Sequence, residues 1–145
     1  MDISEVTEIT DEIVAAFARL IPQLSSTNKA PTRAQLETLV AHDAITLFIA
    51  RDPEQDGKIL GTLTLVTFPI PTAIRSWIED VVVDTEARGK GIGEALTRAG
   101  LVKAKALGAK TVDLTSRPAR EAANRLYQRV GFKARETNVY RYTVE

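Results

Sequence analysis

Two groups of residues in this chain have the types and spacing that chemistry uses. The first is Arg88-Gly89-Lys90-Gly91-Ile92-Gly93, which follows an apolar run over 78–83 and opens a helix-like pattern. A strand, a glycine-rich turn and a helix in that order make a cradle for a pyrophosphate. Glycine lets the main chain approach a ligand without interference from a Cβ, and the free N–H groups and positive dipole end of the helix face the anion. The second group is the adjacent carboxylate pair Glu79 and Asp80, set inside the apolar run. A carboxylate in a central strand needs a partner or a task, and accepting a proton is one such task.

The glycine turn is not a Walker loop, because Gly93-Glu94-Ala95 stands where Gly-Lys-Ser or Gly-Lys-Thr is required. Nor is it a dinucleotide fingerprint: with Gly91 as first glycine, the third falls on Leu96. What remains is Arg-x-x-Gly-x-Gly, which points to a phosphorylated cofactor of another kind.

The elements that must position these groups are legible from periodicity. Residues 3–9 read as a short first strand. Thr10 or Asp11 caps a helix carrying Ile13, Val14, Phe17, Leu20 and Ile21 on one face, ended by Pro22 and the polar stretch after it. Thr32 with Gln35 forms a capping box for a second helix, and the loop between the two helices is a place for an acceptor pocket. Strands follow over 44–50 and 59–68, joined by a hairpin at Asp56-Gly57, and then over 76–84. On the last of these, Arg75, Trp77, Glu79 and Val81 share one face, and Ile78, Asp80 and Val82 share the other. After the glycine turn, Ile92, Ala95, Leu96, Ala99, Val102 and Ala106 make one stripe that ends at Gly108. A strand over 111–115, a helix from Ser116 or Pro118 to Gly131 with Ala119, Ala122, Ala123, Leu126 and Val130 inward, and a closing pair of strands over 132–134 and 139–144 complete the pattern. The expectation is an α/β (α+β) domain over 1–145, with a sheet of six or seven strands flanked by about four helices.

Composition narrows the function. The chain has 145 residues, 44% hydrophobic and 26% charged, with 19 basic and 19 acidic residues and no net charge. No global field recruits nucleic acid or an acidic membrane, so an anion site must be local. There is no cysteine, which excludes disulfides, Cys–zinc sites and a cysteine acyl-enzyme. The single His42 leaves no His-centred metal cluster or serine triad, and no metal is expected. The start Met1-Asp2-Ile3-Ser4-Glu5 lacks a signal-peptide pattern, and no apolar run approaches membrane-spanning length, so a cytoplasmic protein is expected.

The strand 78–84, the 88–93 turn, and a third stretch, Asn124-Arg125-Leu126-Tyr127-Gln128-Arg129-Val130-Gly131-Phe132, come in an order and separation that resemble the GCN5-related N-acetyltransferase (GNAT) superfamily. The resemblance covers about half the chain, from Trp77 to Phe132. It implies a mixed, mostly antiparallel sheet in which two central parallel strands splay apart for coenzyme A, and a β-bulge near Asp80. It implies that acetyl-CoA is the cosubstrate. Its pantetheine would pair with the main chain at Val81 and Val83, with Val82 between them. Its pyrophosphate would lie on the N–H groups from Arg88 to Gly93, with Arg88 and Lys90 adding charge. Asn124 would lie on the cofactor side.

The same resemblance implies an N-acetyltransferase that moves acetyl to a primary amine by direct attack in a ternary complex. Tyr127 would assist the leaving thiolate, Glu79 would take the amine proton, and main-chain N–H groups on the splayed strand would polarise the thioester carbonyl. Asp80 is the second candidate base. Trp77, Arg75 and Tyr140 stand on the acceptor side. A homodimer is compatible with apolar closing strands. The competing reading is a non-catalytic acyl-CoA-binding sensor or regulatory module, which would keep residues 88–93 and need neither Tyr127 nor Glu79. Each side chain also has a plain alternative: a packed helix tyrosine, a surface lysine, an exposed helix asparagine, a carboxylate bracing the bulge.

Overall fold

The computed structural model describes all of residues 1–145 and divides into two compact units, Met1–Thr115 and Ser116–Glu145. In the first unit the strands are β1 (Asp2–Glu5), β2 (Ile45–Asp52), β3 (Lys58–Ile70), β4 (Ala73–Val83) and β5 (Thr111–Asp113). They form one five-stranded sheet in that order, antiparallel except for β4 with β5. The helices of this unit are α1 (Asp11–Leu24), α2 (Arg33–Ala41) and α3 (Ile92–Ala106).

Local chemistry starts each helix. The Thr10 hydroxyl accepts from the Ile13 N–H at 3.3 Å, with Asp11 and Glu12 in the first turn of α1 to meet the helix dipole. At α2 the capping box is complete: the Gln35 N–H donates to the Thr32 hydroxyl at 3.2 Å, and the Thr32 N–H donates to the Gln35 side chain at 2.9 Å. The expected stop holds in part: the polar stretch supplies the Ser25 C-cap. Pro22 does not end α1, which runs two residues further, with the Ser25 N–H reaching the Ile21 carbonyl at 3.2 Å. Proline loses the bond its own N–H would have made and crowds the carbonyl four residues back, and a helix within two residues of its end tolerates both.

The two faces of the sheet bury different helices. On one, Ile13, Phe17 and Leu20 of α1 and Leu36 of α2 cluster with Leu47, Ile49, Ile59 and Val82. On the other, α3 approaches so closely that a Cβ at Gly61 would lie 3.1 Å from Ile92, from Leu96 and from the Val82 carbonyl. A Cβ at Gly100 would meet Leu63 at 3.4 Å and Ile78 at 3.8 Å. Ile78 therefore faces α3, whereas Val82 faces α1.

That split corrects the simple alternation read from the sequence. Thr64 pairs with Glu79 and Thr62 with Val82, so β4 spends one residue more than β3 across this interval. The extra residue is accommodated at Asp80, which has φ 48°. This is the expected β-bulge. It moves Val82 to the face opposite Ile78, because one inserted residue inverts the alternation beyond it.

The sheet has five strands, not six or seven. The parallel pair is not central, since β5 is the edge strand. Its ladder joins only Arg75–Trp77 to Thr111–Asp113, so β4 continues from Ile78 to Val83 with no β5 partner beside it.

In the second unit, α4 (Glu121–Val130) ends at Gly131, whose N–H bonds the Tyr127 and Gln128 carbonyls at 3.1 Å each. Only Tyr127 on this helix is buried. Ala119 precedes the helix, and both Ala119 and Ala122 are exposed, contrary to their expected inward placement. Residues 132–144 form no strand. Val139, Tyr140, Tyr142 and Val144 remain 73–89% exposed. Their β-branched and aromatic character favours an extended backbone, but a strand also needs a ladder partner, which local preference does not supply.

Candidate functional site

The end of β4 leads into a turn built by side-chain bonds. Asp84 accepts from the Glu86 N–H at 3.1 Å and from Arg19 Nε of α1 at 3.2 Å, and Arg19 also donates to the Ile59 carbonyl. The Gln23 side chain accepts from the Thr85 N–H at 2.9 Å. Burial alone would raise the Asp84 pKa; the Glu86 N–H and the Arg19 guanidinium outweigh it and hold the carboxyl below its ordinary range. Neither Arg19 nor Gln23 was signalled by the sequence. Arg19 lies 65 positions from Asp84 and Gln23 lies 62 from Thr85, and only the fold brings α1 against this turn.

Gly89 and Gly91 then take φ 83° and 78°. A Cβ on either would meet nothing within 4 Å. These glycines are thus required for backbone conformation while the space above them stays open. Gly91 is the N-cap of α3, and its carbonyl accepts the first helical bond, from Ala95, at 3.0 Å. The N–H groups of Ile92 and Gly93 precede that ladder, as expected for the first turn. The Ile92 side chain is 1% exposed and belongs to the core, so its contribution here is its main chain. Arg88 and Lys90 are exposed. Lys90 has a neighbour of its own: the Asp52 carboxyl is held low by Gln55 first and the Glu54 N–H next, with the Lys90 charge adding a smaller effect.

An open cradle, a helix start facing it and two cations beside it fit a pyrophosphate. The unpaired side of β4, which includes half-buried Val81 and Val83 and buried Val82, adjoins that turn in the chain.

Glu79 and Asp80 are exposed, not buried as their setting in an apolar run suggested. Partial desolvation still raises the Glu79 pKa above its ordinary 4.5, and the Asp80 charge raises it further. Trp77 is half-buried and Arg75 exposed on the same strand. A cavity of about 280 Å³ lies between α1, the loop after it, α2 and the β3–β4 pair, with Asp80 and Thr64 in its wall. The loop between the first two helices thus borders a cavity, and the residues that line it were not legible in the sequence.

In the second unit, the Tyr127 ring is 8% exposed and stands edge-on to Phe132, with centroids 5.8 Å apart at 68°. Burial raises the Tyr127 pKa and the nearby Arg120 opposes the shift. The Asn124 amide donates to the Arg117 carbonyl at 3.0 Å, so it braces the turn ahead of α4. Ser116, one of the expected helix starts, lies ahead of α4, and its Oγ is buried without a hydrogen-bond partner. Tyr140 is 87% exposed and sits in no regular element.

This combination defines a class. The chain belongs to the Acetyltransferase (GNAT) family, whose model matches residues 8–132. Among curated proteins it is similar to mycothiol acetyltransferase of Propionibacterium freudenreichii subsp. shermanii, 39% identical over 97 residues that cover 67% of this chain and 30% of that protein. It is also similar to N-alpha-acetyltransferase 30 of Schizosaccharomyces pombe, 38% identical over 71 residues, 49% of this chain and 47% of that one. The matched stretches thus span less than half the length of either relative. Among solved structures, an aminoglycoside acetyltransferase from an uncultured soil metagenomic sample superposes with a TM-score of 0.83 over 99% of this chain and 95% of its own, at 21% identity, a likeness of fold.

Proposed function

We propose that this protein transfers an acetyl group from acetyl-CoA to a primary amine. The observation that carries the reading is the open cradle at Gly89 and Gly91 at the start of α3. Glycines at positive φ immediately before a helix N-terminus leave the turn's N–H groups open to an anion, and here two of them, Gly89 and Gly91, precede that start.

Acetyl-CoA supplies the activated thioester. Arg88, Lys90 and the N–H groups of the turn hold the pyrophosphate, and the unpaired side of β4 at residues 81–83 pairs with the pantetheine as an added strand would. Glu79 takes the proton that the amine must lose. Its raised pKa brings it closer to the working range of a base than an ordinary glutamate. The C–N bond forms as the C–S bond breaks, and the Tyr127 phenol gives its proton to the departing thiolate and regains one from solvent. The phenol is protonated at neutral pH, the form this role requires, and burial pushes its pKa further up.

The test is release of coenzyme A thiol from acetyl-CoA with a panel of amines, with Tyr127→Phe beside the wild type. Amine-dependent release that falls tenfold or more in the variant, at unchanged acetyl-CoA affinity, is expected. Wild-type turnover in Tyr127→Phe would remove the leaving-group role. No measurable binding of acetyl-CoA would remove the whole reading.

A further inference from the structure

The cavity beside β4 has a composition that discriminates between amines. Phe17, Ile21 and Leu24 project from α1 at helical spacing, and Pro31 and Leu39 face them from the loop and α2. Phe17 is buried, but Ile21 and Leu24 are only partly so, at the edge of the core cluster. Part of the α1 apolar stripe therefore lines the cavity. The remaining lining is Asn28, Lys29, Thr64 and Asp80. This gives one carboxylate and one ammonium in an otherwise neutral wall.

Asp80 reaches the cavity wall because of the bulge. Its φ of 48° is uncommon for a residue with a Cβ, though aspartate tolerates it better than most. Glu79, next in the chain and paired with the wall residue Thr64, adds a second carboxylate on this stretch of β4. A cationic amine is attracted to this end, and the apolar walls lie beyond it.

We infer that the acceptor is a monoamine carrying a compact apolar body, its nitrogen at Asp80 and Glu79 and its hydrocarbon between α1 and α2. The inference rests on the acetyl-transfer reading above. Its size follows from a volume of about 280 Å³, just below the usual range of ligand pockets. Its charge follows from the wall: a polyamine or aminoglycoside needs several carboxylates along its length, and Lys29 repels a second cation. A sugar phosphate needs a cluster of cations, and Lys29 stands alone in the lining. A hydrocarbon body gains from burial against Ile21 and Leu24, which a polyhydroxylated one does not.

The experiment compares phenethylamine, glucosamine 6-phosphate, spermidine and kanamycin as acceptors at fixed acetyl-CoA, alongside acetyl-CoA affinity and melting temperature. Wild type is run with Leu24→Lys, which places a charge in the apolar wall. The expected result is kcat/KM for phenethylamine at least tenfold above each of the other three. In Leu24→Lys that preference falls at least tenfold, while acetyl-CoA affinity stays within twofold. Retained affinity shows that the variant is folded. If acetyl-CoA binds but a polar or polycationic acceptor is preferred, or none of the four supports release, the inference is overturned and the cofactor reading stands. If acetyl-CoA does not bind the wild type, both fall together.

Discussion

Gly91→Ala separates a glycine needed by the fold from a glycine needed by a ligand. Gly91 has φ 78° and ψ 13°, and an added Cβ meets no protein atom within 4 Å. The variant therefore suffers no clash, only the left-handed conformation, which costs a residue with a Cβ about 1–2 kcal/mol. For a chain of this length that lowers Tm by about 2–8 °C. Gly108 offers a matched control, with φ 84° and an added Cβ at an ordinary 3.7 Å from Ile74. It lies past the other end of α3, about 25 Å away at 1.5 Å per residue. Both variants are expected to lose similar stability. Only Gly91→Ala should weaken acetyl-CoA, because its methyl occupies the space a phosphate oxygen would use. Loss of one charge-assisted hydrogen bond, about 1.5–3 kcal/mol, raises Kd by about 10–150-fold. Calorimetric titration with acetyl-CoA and thermal melts of the three proteins decide it. Equal Kd values in Gly91→Ala and wild type, or equal weakening in Gly108→Ala, would refute the reasoning.

Two other perturbations test separate steps. A carboxyl with a raised pKa loses its ability to accept a proton as pH falls through that value, so kcat/KM should show an acid limb above pH 4.5 that disappears in Glu79→Gln, with activity down about a hundredfold. Asp80→Asn removes the like charge and should move the limb to lower pH, and an unmoved limb would assign it to another group. Gly61→Ala presses a methyl against Ile92, Leu96 and the Val82 carbonyl, each 3.1 Å away. Two of these are side chains that can give and one is main chain, so the variant should lose about 1–3 kcal/mol, or about 2–12 °C in Tm. An unchanged melting curve would refute a close packing of α3 on Gly61.

Features whose cause is local could be read directly from the residues. The capping box at Thr32 and Gln35, the hairpin at Asp56-Gly57, and the strand, glycine turn and helix from β4 to α3 all rest on residues within a few positions of one another. Such signals survive in a one-dimensional reading because the interactions behind them are themselves short-range. Tertiary structure decided what depends on partners remote in the chain. Residues 139–144 have strand-forming side chains but no ladder, and the sheet closes at five strands. The bulge at Asp80 exists only as a mismatch between β4 and β3, and it decides that Ile78 and Val82 meet different helices. The exposure of Glu79 and Asp80, the Arg19 brace on Asp84 and the apolar wall from α1 likewise arise when segments dozens of residues apart are brought together. Periodicity specifies which face of an element is apolar; which neighbour that face meets is settled by the packing of the whole sheet.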